Sequence, residues 1–240
     1  MSKQLNFSFT PIAYVHSPFK QKFGIPRQSS LIDIPSIIRF TEPENQLGSL
    51  ADLTRFSHFW ILAVFHQHLN QPKFRVRPPR LGGNQKISVF ATRSSFRPNP
   101  ISQSVVKRQS IIRHDGIIDM IVSGLDLLDG TPIMDIKPYL PYVDIQPEAV
   151  CTDFTRPEKI FSVSWSQIAE EEIKKLVSYS TFEIGSLVSW ISDIIAFDPR
   201  PAFKCSDDGK EYYFLFDCFD IRWHVDSSQR AEVVGVRLNV

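Results

Sequence analysis

Residues 104–122 read SVVKRQSIIRHDGIIDMIV, and this run decides what kind of fold to expect. Ser104-Val-Val and Ser110-Ile-Ile-Arg113 are short β-prone segments, and Ile117-Ile-Asp-Met-Ile-Val122 is their return strand. Between them, His114-Asp115-Gly116 carries the Asp-Gly pair that tolerates the left-handed backbone of a tight hairpin. The flanking sequence repeats the pattern. Phe9 to Val15 is a β-rich run ended by Ser17-Pro18. Phe59 to Phe65 is apolar throughout, which predicts a strand buried on both faces. Lys86 to Thr92 alternates and then meets the breaker Arg97-Pro-Asn-Pro100. Asp129-Gly-Thr-Pro132 is a turn, Ile133 to Ile136 a short strand, and Lys137-Pro-Tyr-Leu-Pro141 a stiff exit. One short helix is expected between Gly48 and Phe56. Closely spaced short strands with few helices predict a barrel or sandwich over residues 1–147.

The pattern changes after Pro147. Phe161 to Trp165 reads as a strand, and Ser166 to Tyr179 as a helix with Glu170, Glu171 and Glu172 early and Lys174 and Lys175 late, the order that suits the helix dipole. Ser180-Thr-Phe-Glu183 has the form of a capping box, which places a second helix from there to about Ile195. Asp198-Pro-Arg-Pro201 stops it, and three antiparallel strands follow over 211–217, 219–225 and 231–238. Residues 158–240 are thus expected to form a small α+β domain. The whole chain is read as mostly β.

Hydrophobic residues at 42% and charged residues at 22% are those of a soluble globular protein. No apolar run is long enough to cross a bilayer, and the N-terminus lacks the features of a signal peptide. Cys151, Cys205 and Cys218 are odd in number and form no C-x-x-C pair, which argues against disulfides and structural zinc and for a reducing, cytoplasmic setting. His66-Gln-His68 on an extended chain would put two imidazoles on one side, but no third ligand accompanies them, so no metal is expected. The net charge of +1 conceals an asymmetry: ten Lys and Arg and no acid between Gln71 and His114, then eight acids and one Lys between Asp115 and Asp153. Such a basic block is the footprint of a polyanion partner, unless the acidic block neutralises it in the fold.

There is no G-x-G-x-x-G, no G-x-x-x-x-G-K-[ST], no H-E-x-x-H and no G-x-S-x-G, so the usual Rossmann, P-loop, zincin and hydrolase readings all fail. Four longer segments are informative instead. They are Phe23-Gly-Ile-Pro-Arg-Gln28; Phe56-Ser-His-Phe-Trp-Ile-Leu-Ala-Val-Phe-His-Gln67; Arg75-Val-Arg-Pro-Pro-Arg-Leu-Gly-Gly83 running into Val89-Phe-Ala-Thr-Arg-Ser-Ser-Phe-Arg-Pro-Asn-Pro100; and Gly124 to Pro132 with Asp135-Ile-Lys-Pro-Tyr-Leu-Pro141. In this order they closely resemble the TrmO (TsaA-like) family of tRNA N6-threonylcarbamoyladenosine methyltransferases. The match covers roughly residues 7–145, and the tail resembles the C-terminal domain of the longer bacterial members.

The resemblance implies a non-Rossmann β-barrel methyltransferase that works as a homodimer, binds S-adenosylmethionine near the subunit interface and methylates N6 of threonylcarbamoyladenosine beside the anticodon of threonine tRNAs. It implies cofactor contacts at Pro26, Arg27, Gln28, His66, Gln67, Asp126, Leu127, Leu128 and Asp129; the rigid basic loop at a strand end adds Arg93, and Gln103 adds a polar contact of side chain or backbone. Arg27 suits the methionine carboxylate, and Asp126 and Asp129 suit ribose or amino groups. Read alone, Arg27 is a surface-loop residue, His66 a strand-end histidine and Asp129 part of a solvated Asp-Gly turn. After Pro100-Ile101 the family pattern expects Gly and then Leu or Met, where this chain has Ser102-Gln103. Asp135, Lys137 and Tyr139 are candidates to position the reacting amine, or else a strand end with Tyr139 packed over prolines. For RNA, Arg75, Arg77 and Arg80 fit a phosphate-tracking loop, Arg97 a rigid basic loop and Arg200 a contact to the anticodon stem. A non-catalytic RNA-binding module, or the same enzyme class on another substrate, stays open as an alternative.

Overall fold

The computed structural model describes residues 7–41, 50–78, 81, 85–152, 154–200 and 210–239. Six strands form the first unit: β1 (Ala13–His16), β2 (Pro35–Phe40), β3 (His58–Val64), β6 (Ile101–His114), β7 (Ile117–Ser123) and β8 (Pro132–Pro138), with a short helix α1 (Leu50–Leu53) before β3 and a two-stranded ribbon, β4 (Arg75–Val76) and β5 (Ile87–Ser88), between β3 and β6. The pairings run β1-β2-β7-β6-β3-β8 and return to β1, a closed barrel. All pairs in this ring are antiparallel. Its interior is filled by alternate residues such as Val15, Ile38, Phe59, Ile61, Val106, Met120 and Ile133.

Three local expectations are corrected by this wall. β3 is buried on one face only: Phe59, Ile61 and Ala63 point inward, whereas Trp60 and Leu62 are half-buried outside, with Trp60 against the ring of Tyr139. An all-apolar strand does not need two buried faces when the outer one meets a neighbouring side chain or a cavity. The segments split at Lys107 and Arg108 form one strand of 14 residues. A register shift between Arg108 and Ser110 absorbs the break in pattern. Arg108 reaches back to the carbonyls of Phe56 (2.9 Å) and Thr54 (3.0 Å). Finally, the alternating run from Lys86 is a strand only at Ile87–Ser88, and Val89–Ala91 is a tight 3-10 turn capped by the Ser88 hydroxyl. The β6–β7 hairpin turns at Asp115 (φ 48°) and Gly116 (φ 77°), both left-handed as the Asp-Gly pair predicts.

Past a short helix α2 (Pro141–Asp144), the second unit consists of β9 (Val163–Trp165), α3 (Gln167–Leu176), α4 (Ile184–Ala196), β10 (Glu211–Phe216), β11 (Phe219–Val225) and β12 (Ala231–Leu238). The sheet order is β10-β11-β12-β9, with β9 parallel to β12. Ser166 caps α3 through the amide of Ala169 (3.2 Å). The capping box at Ser180 does not form. The Ser180 hydroxyl donates to the Asp217 carboxylate (2.6 Å) and accepts from the amide of Phe182, so α4 begins only at Ile184. A tertiary carboxylate outcompetes the local cap. No helix among the described residues is long and apolar enough to cross a membrane.

The segment between β1 and β2 joins the two units. Phe19, Ile32 and Ile34 are buried in the core of the second sheet, not in the barrel. Phe19 makes a β-bridge to Phe216 and an edge-to-face ring contact at 5.9 Å. Asp217 donates its amide to the carbonyl of Pro18 (2.7 Å). Gly24 has φ +95°, and a Cβ there would lie 2.9 Å from Cδ2 of Phe214. Gly24→Ala therefore combines left-handed strain with a clash and is expected to cost about 1–3 kcal/mol. Urea denaturation checks this; an unchanged midpoint would show that the segment does not seat on the second sheet.

Candidate functional site

The antiparallel wall brings the end of β3, the start of β6 and the end of β7 to one rim of the barrel. There, a cavity of about 390 Å³ opens, a size within the roughly 300–1,000 Å³ of small-molecule sites. Its walls come from five stretches: Pro26, Arg27 and Gln28 from the β1–β2 segment; Leu62 and Phe65 at the end of β3; Thr92, Arg93, Ser95 and Arg97 from the Pro-rich loop; Ser102, Gln103 and Ser104 of β6; and Asp126 and Leu127 after β7. A second cavity of about 240 Å³ adjoins it, sharing Phe65, Ser95, Asp126 and Leu127 and adding His66, Gln67 and Leu128.

Gly124 leads the chain from β7 to Asp126 and Leu127. Its φ of +78° turns the chain out of β7, and a Cβ there would press within 3.1 Å of the Ser30 backbone. Ser30 donates its amide to the Gly124 carbonyl (2.8 Å) and its hydroxyl to the Val105 carbonyl (3.2 Å), while the Ser29 hydroxyl accepts from the Val105 amide (3.2 Å). These bonds clamp the loop carrying Pro26 to Gln28 over β6. Arg93 donates to the Gln28 side chain (2.7 Å), closing the ring of polar groups.

Asp126 sits where the two cavities meet. The Ser104 hydroxyl donates to its Oδ1 at 2.5 Å. Burial nevertheless pushes its carboxyl up to about 6, against the opposing pull of that hydroxyl, nearby backbone amides and the Arg93 charge. Two further polar atoms are buried without a partner: Oγ of Ser102, in the larger cavity, and Nδ1 of His66, in the smaller. Buried unpaired donors or acceptors are costly unless something else completes them. Both therefore mark positions where a polar ligand would be met.

Of the residues singled out in the sequence, Pro26, Arg27, Gln28, Arg93, Gln103, Asp126 and Leu127 stand around the larger cavity and His66, Gln67 and Leu128 around the smaller. Arg27 also reaches the second unit, donating to the carbonyls of Asp198 (3.1 Å) and Arg200 (2.9 Å). Asp129 lines neither cavity. It accepts from the Ser17 amide (2.9 Å) and pairs with Lys20 (2.9 Å), pinning the turn behind the site. Asp135, Lys137 and Tyr139 stand apart on β8 and just after it: Asp135 and Lys137 pair with each other (2.7 Å), and Tyr139 packs on Trp60 and His58. His66–His68 is a 3-10 turn, not the extended strand expected. His68 takes a hydrogen bond from Lys22 (3.0 Å), and burial with the Lys22 and Lys73 charges holds its imidazole below the ordinary histidine range. No cluster of three metal-ligating side chains occurs among the described residues.

Arg75 and Arg77 are exposed on the ribbon, and Arg80 lies outside the described residues. Arg97 turns inward on its own loop, donating to the carbonyls of Val89 (3.0 Å) and Thr92 (2.7 Å). Arg200 is only 5% exposed; its guanidinium is held by the Asp198 carboxylate (2.7 and 2.9 Å) and lies over the rings of Phe161 and Tyr212. It braces the turn after α4, with its charge directed away from solvent.

Sequence reading missed Ser102, Ser104 and the Ser29-Ser30 clamp. A signal for the first two existed: at strand spacing they share the inner face of β6 with Val106, and polar residues at core positions ask for a partner.

Comparison with known proteins agrees with this architecture. The family model for the tRNA-methyltransferase O N-terminal domain matches residues 14–145, and that for the TrmO C-terminal domain matches residues 158–239. The chain belongs to the TrmO family. The tRNA (adenine(37)-N6)-methyltransferase of Escherichia coli (strain K12) is 38% identical over 224 residues, which is 92% of this chain and 94% of that protein. A Pseudomonas aeruginosa protein, RcsF, whose name describes it as an S-adenosylmethionine-dependent methyltransferase, is 37% identical over 97% of this chain and 98% of its own length. The crystal structure of TrmO from Pseudomonas aeruginosa superposes with a TM-score of 0.75 at 31% identity, covering 97% of this chain and 99% of that one.

Asp126 gives a direct test of the site's electrostatics. A carboxyl raised from its ordinary value to about 6 favours the folded state while protonated and opposes it once ionised. Asp126→Asn is accordingly expected to stabilise the protein at pH 7.5 by about 1–3 kcal/mol, with the gain vanishing by about pH 4. Thermal melts across that range check it; a destabilised variant at pH 7.5 would show that the ionised carboxylate supports the fold.

Proposed function

We propose that this chain is an S-adenosylmethionine-dependent tRNA methyltransferase acting on N6 of the adenosine beside the anticodon, with threonylcarbamoyladenosine in threonine tRNAs as its substrate. The observation that carries the reading is the convergence at one barrel rim of Pro26 to Gln28, Arg93, Gln103 and Asp126, residues far apart in the chain, around a cavity of ligand size. Family membership and the names of full-length relatives from Escherichia coli and Pseudomonas aeruginosa support the same chemistry.

The cavity's donor set fits the cofactor. An adenosyl ribose offers hydroxyl donors and a methionine end offers an ammonium and a carboxylate. Asp126 provides an acceptor for hydroxyls or ammonium, Arg93 a donor for the carboxylate, and Ser102 and His66 the unsatisfied polar atoms that a ligand completes. The bound cofactor supplies a methyl group on a sulfonium, and the nucleophile must be aligned behind it. The protein's task is therefore chiefly orientation. The Ser29-Ser30 clamp, the Arg93–Gln28 bond and the Arg97 brace fix the walls before anything binds. RNA approaches over Arg75 and Arg77, which lie in the acid-free block from Gln71 to His114. A homodimer and a cytoplasmic location complete the proposal. The exposed apolar residues Tyr142, Val143, Ile145 and Val150 are surfaces that a second copy would cover.

Two measurements test this reading. With a tritiated methyl donor, label is expected on threonine tRNA bearing the threonylcarbamoyl group and at least about tenfold less on the unmodified transcript, since a site built for polar groups rejects an analogue lacking them. Equal labelling would overturn the substrate assignment, and RNA binding without labelling would favour a non-catalytic RNA-binding module. In calorimetry, Ser102→Ala is expected to weaken S-adenosylmethionine binding about threefold to tenfold while raising the melting temperature of the free protein, because the buried hydroxyl has no partner in the protein itself.

A further inference from the structure

We propose that Phe74 and Phe90 form an aromatic platform beside the cavity on which unpaired bases of an RNA loop stack, next to the base that enters the site. This rests on the tRNA reading above and adds to it the mode of recognition. Phe74 is 68% exposed and Phe90 66% exposed. A lone exposed ring needs no explanation, but these two are joined at one end of the ribbon: the amide of Val89 donates to the carbonyl of Phe74 (2.9 Å), in continuation of the Arg75–Ser88 pairing.

The platform is also rigid. Arg97 bonds the carbonyls of Val89 and Thr92, which flank Phe90 in the chain, and the Ser88 hydroxyl accepts from the Phe90 amide (3.3 Å). The Arg97 guanidinium lies 5.6 Å from the Phe90 ring centre and still leaves most of that ring open. Ordering cost on binding is correspondingly small. Thr92 and Arg93, two and three residues beyond Phe90, already line the larger cavity.

Charge identifies the occupant. Arg75, Arg77 and Lys86 are exposed on the same ribbon, inside the stretch from Gln71 to His114 that contains no acid. Exposed rings interleaved with exposed cations form the pattern that grips single-stranded nucleic acid: the cations follow the phosphates and the rings take the base faces. The other exposed apolar run, Tyr142 to Val150, lies among Asp144 and Glu148 and is unsuited to a polyanion. An anticodon stem-loop presents splayed, unpaired bases of this kind.

The test uses the full chain with Phe74→Ala, Phe90→Ala, the double variant and Phe90→Trp. The probes are a fluorescent anticodon stem-loop and the same hairpin with abasic loop positions flanking the target adenosine. Each alanine variant is expected to bind the stem-loop about tenfold more weakly and the double variant more weakly still, while Phe90→Trp keeps wild-type affinity. On the abasic hairpin, wild type and variants are expected to bind alike, and S-adenosylmethionine binding is expected to be unchanged throughout. Alanine variants that bind the intact loop as wild type does would overturn the inference while leaving the tRNA reading standing. A shift in sedimentation from dimer to monomer in those variants would also overturn it, by making the rings a contact between copies. Failure of the wild-type protein to bind either hairpin would overturn the tRNA reading and this inference with it.

Discussion

Burial of Phe19, Ile32 and Ile34 in the second core is the constraint on which the site depends. These three side chains belong to a connection between two barrel strands, yet they contribute to the interior formed by α3, α4 and the four-stranded sheet. Each such burial is worth about 1.5–3 kcal/mol, enough together to fix a connection that would otherwise wander. Between the anchored ends, the chain must pass over the barrel rim, and it does so carrying Pro26, Arg27 and Gln28. The second unit therefore shapes the first unit's cavity. Arg27 makes the same link from the polar side through the carbonyls of Asp198 and Arg200.

Once the connection is fixed, the cavity can hold groups that a closed core would reject. An ionisable carboxyl pushed up to about 6, an unpartnered serine hydroxyl and an unpartnered imidazole nitrogen lie along two adjoining cavities. Each costs stability in the free protein. Ser36, Tyr212 and Trp223 also bury an unpartnered polar atom but line neither cavity; at this rim such groups adjoin a raised carboxyl and open space, the pattern of a site in which local stability yields to binding. By contrast, the ion pair of Arg39 with Asp119 on the outer wall is fully matched: two bonds of 2.8 Å and a third from His114 hold the Asp119 carboxyl below its ordinary value.

Much of the chain was legible in its sequence where local chemistry decides. The mostly-β character, the Asp115-Gly116 hairpin, the three antiparallel C-terminal strands and Ser166 as the start of α3 all follow from alternation, turn residues and capping. The rest depended on partners distant in sequence. The Ser180 capping box yielded to Asp217, the run after Lys86 curled into a turn tied to Phe74, and β3 kept one face half-open because its neighbours there are a ring and a cavity. The candidate site residues in the long motifs were named through their resemblance to a family. Ser102, which lies where this chain departs from the family pattern, and Ser104 were visible only as polar residues on an inward face. No local signal announces that Phe19 and Ile34 leave the barrel for another core.

Hydrogen exchange of the backbone amides with and without S-adenosylmethionine is the most direct test of the central claim that one cofactor site spans these segments. The account predicts added protection in peptides covering residues 24–32, 91–98, 101–106 and 124–129, with α3 and the β6–β7 hairpin unchanged. Protection confined to any other surface, or none at saturating cofactor, would contradict it.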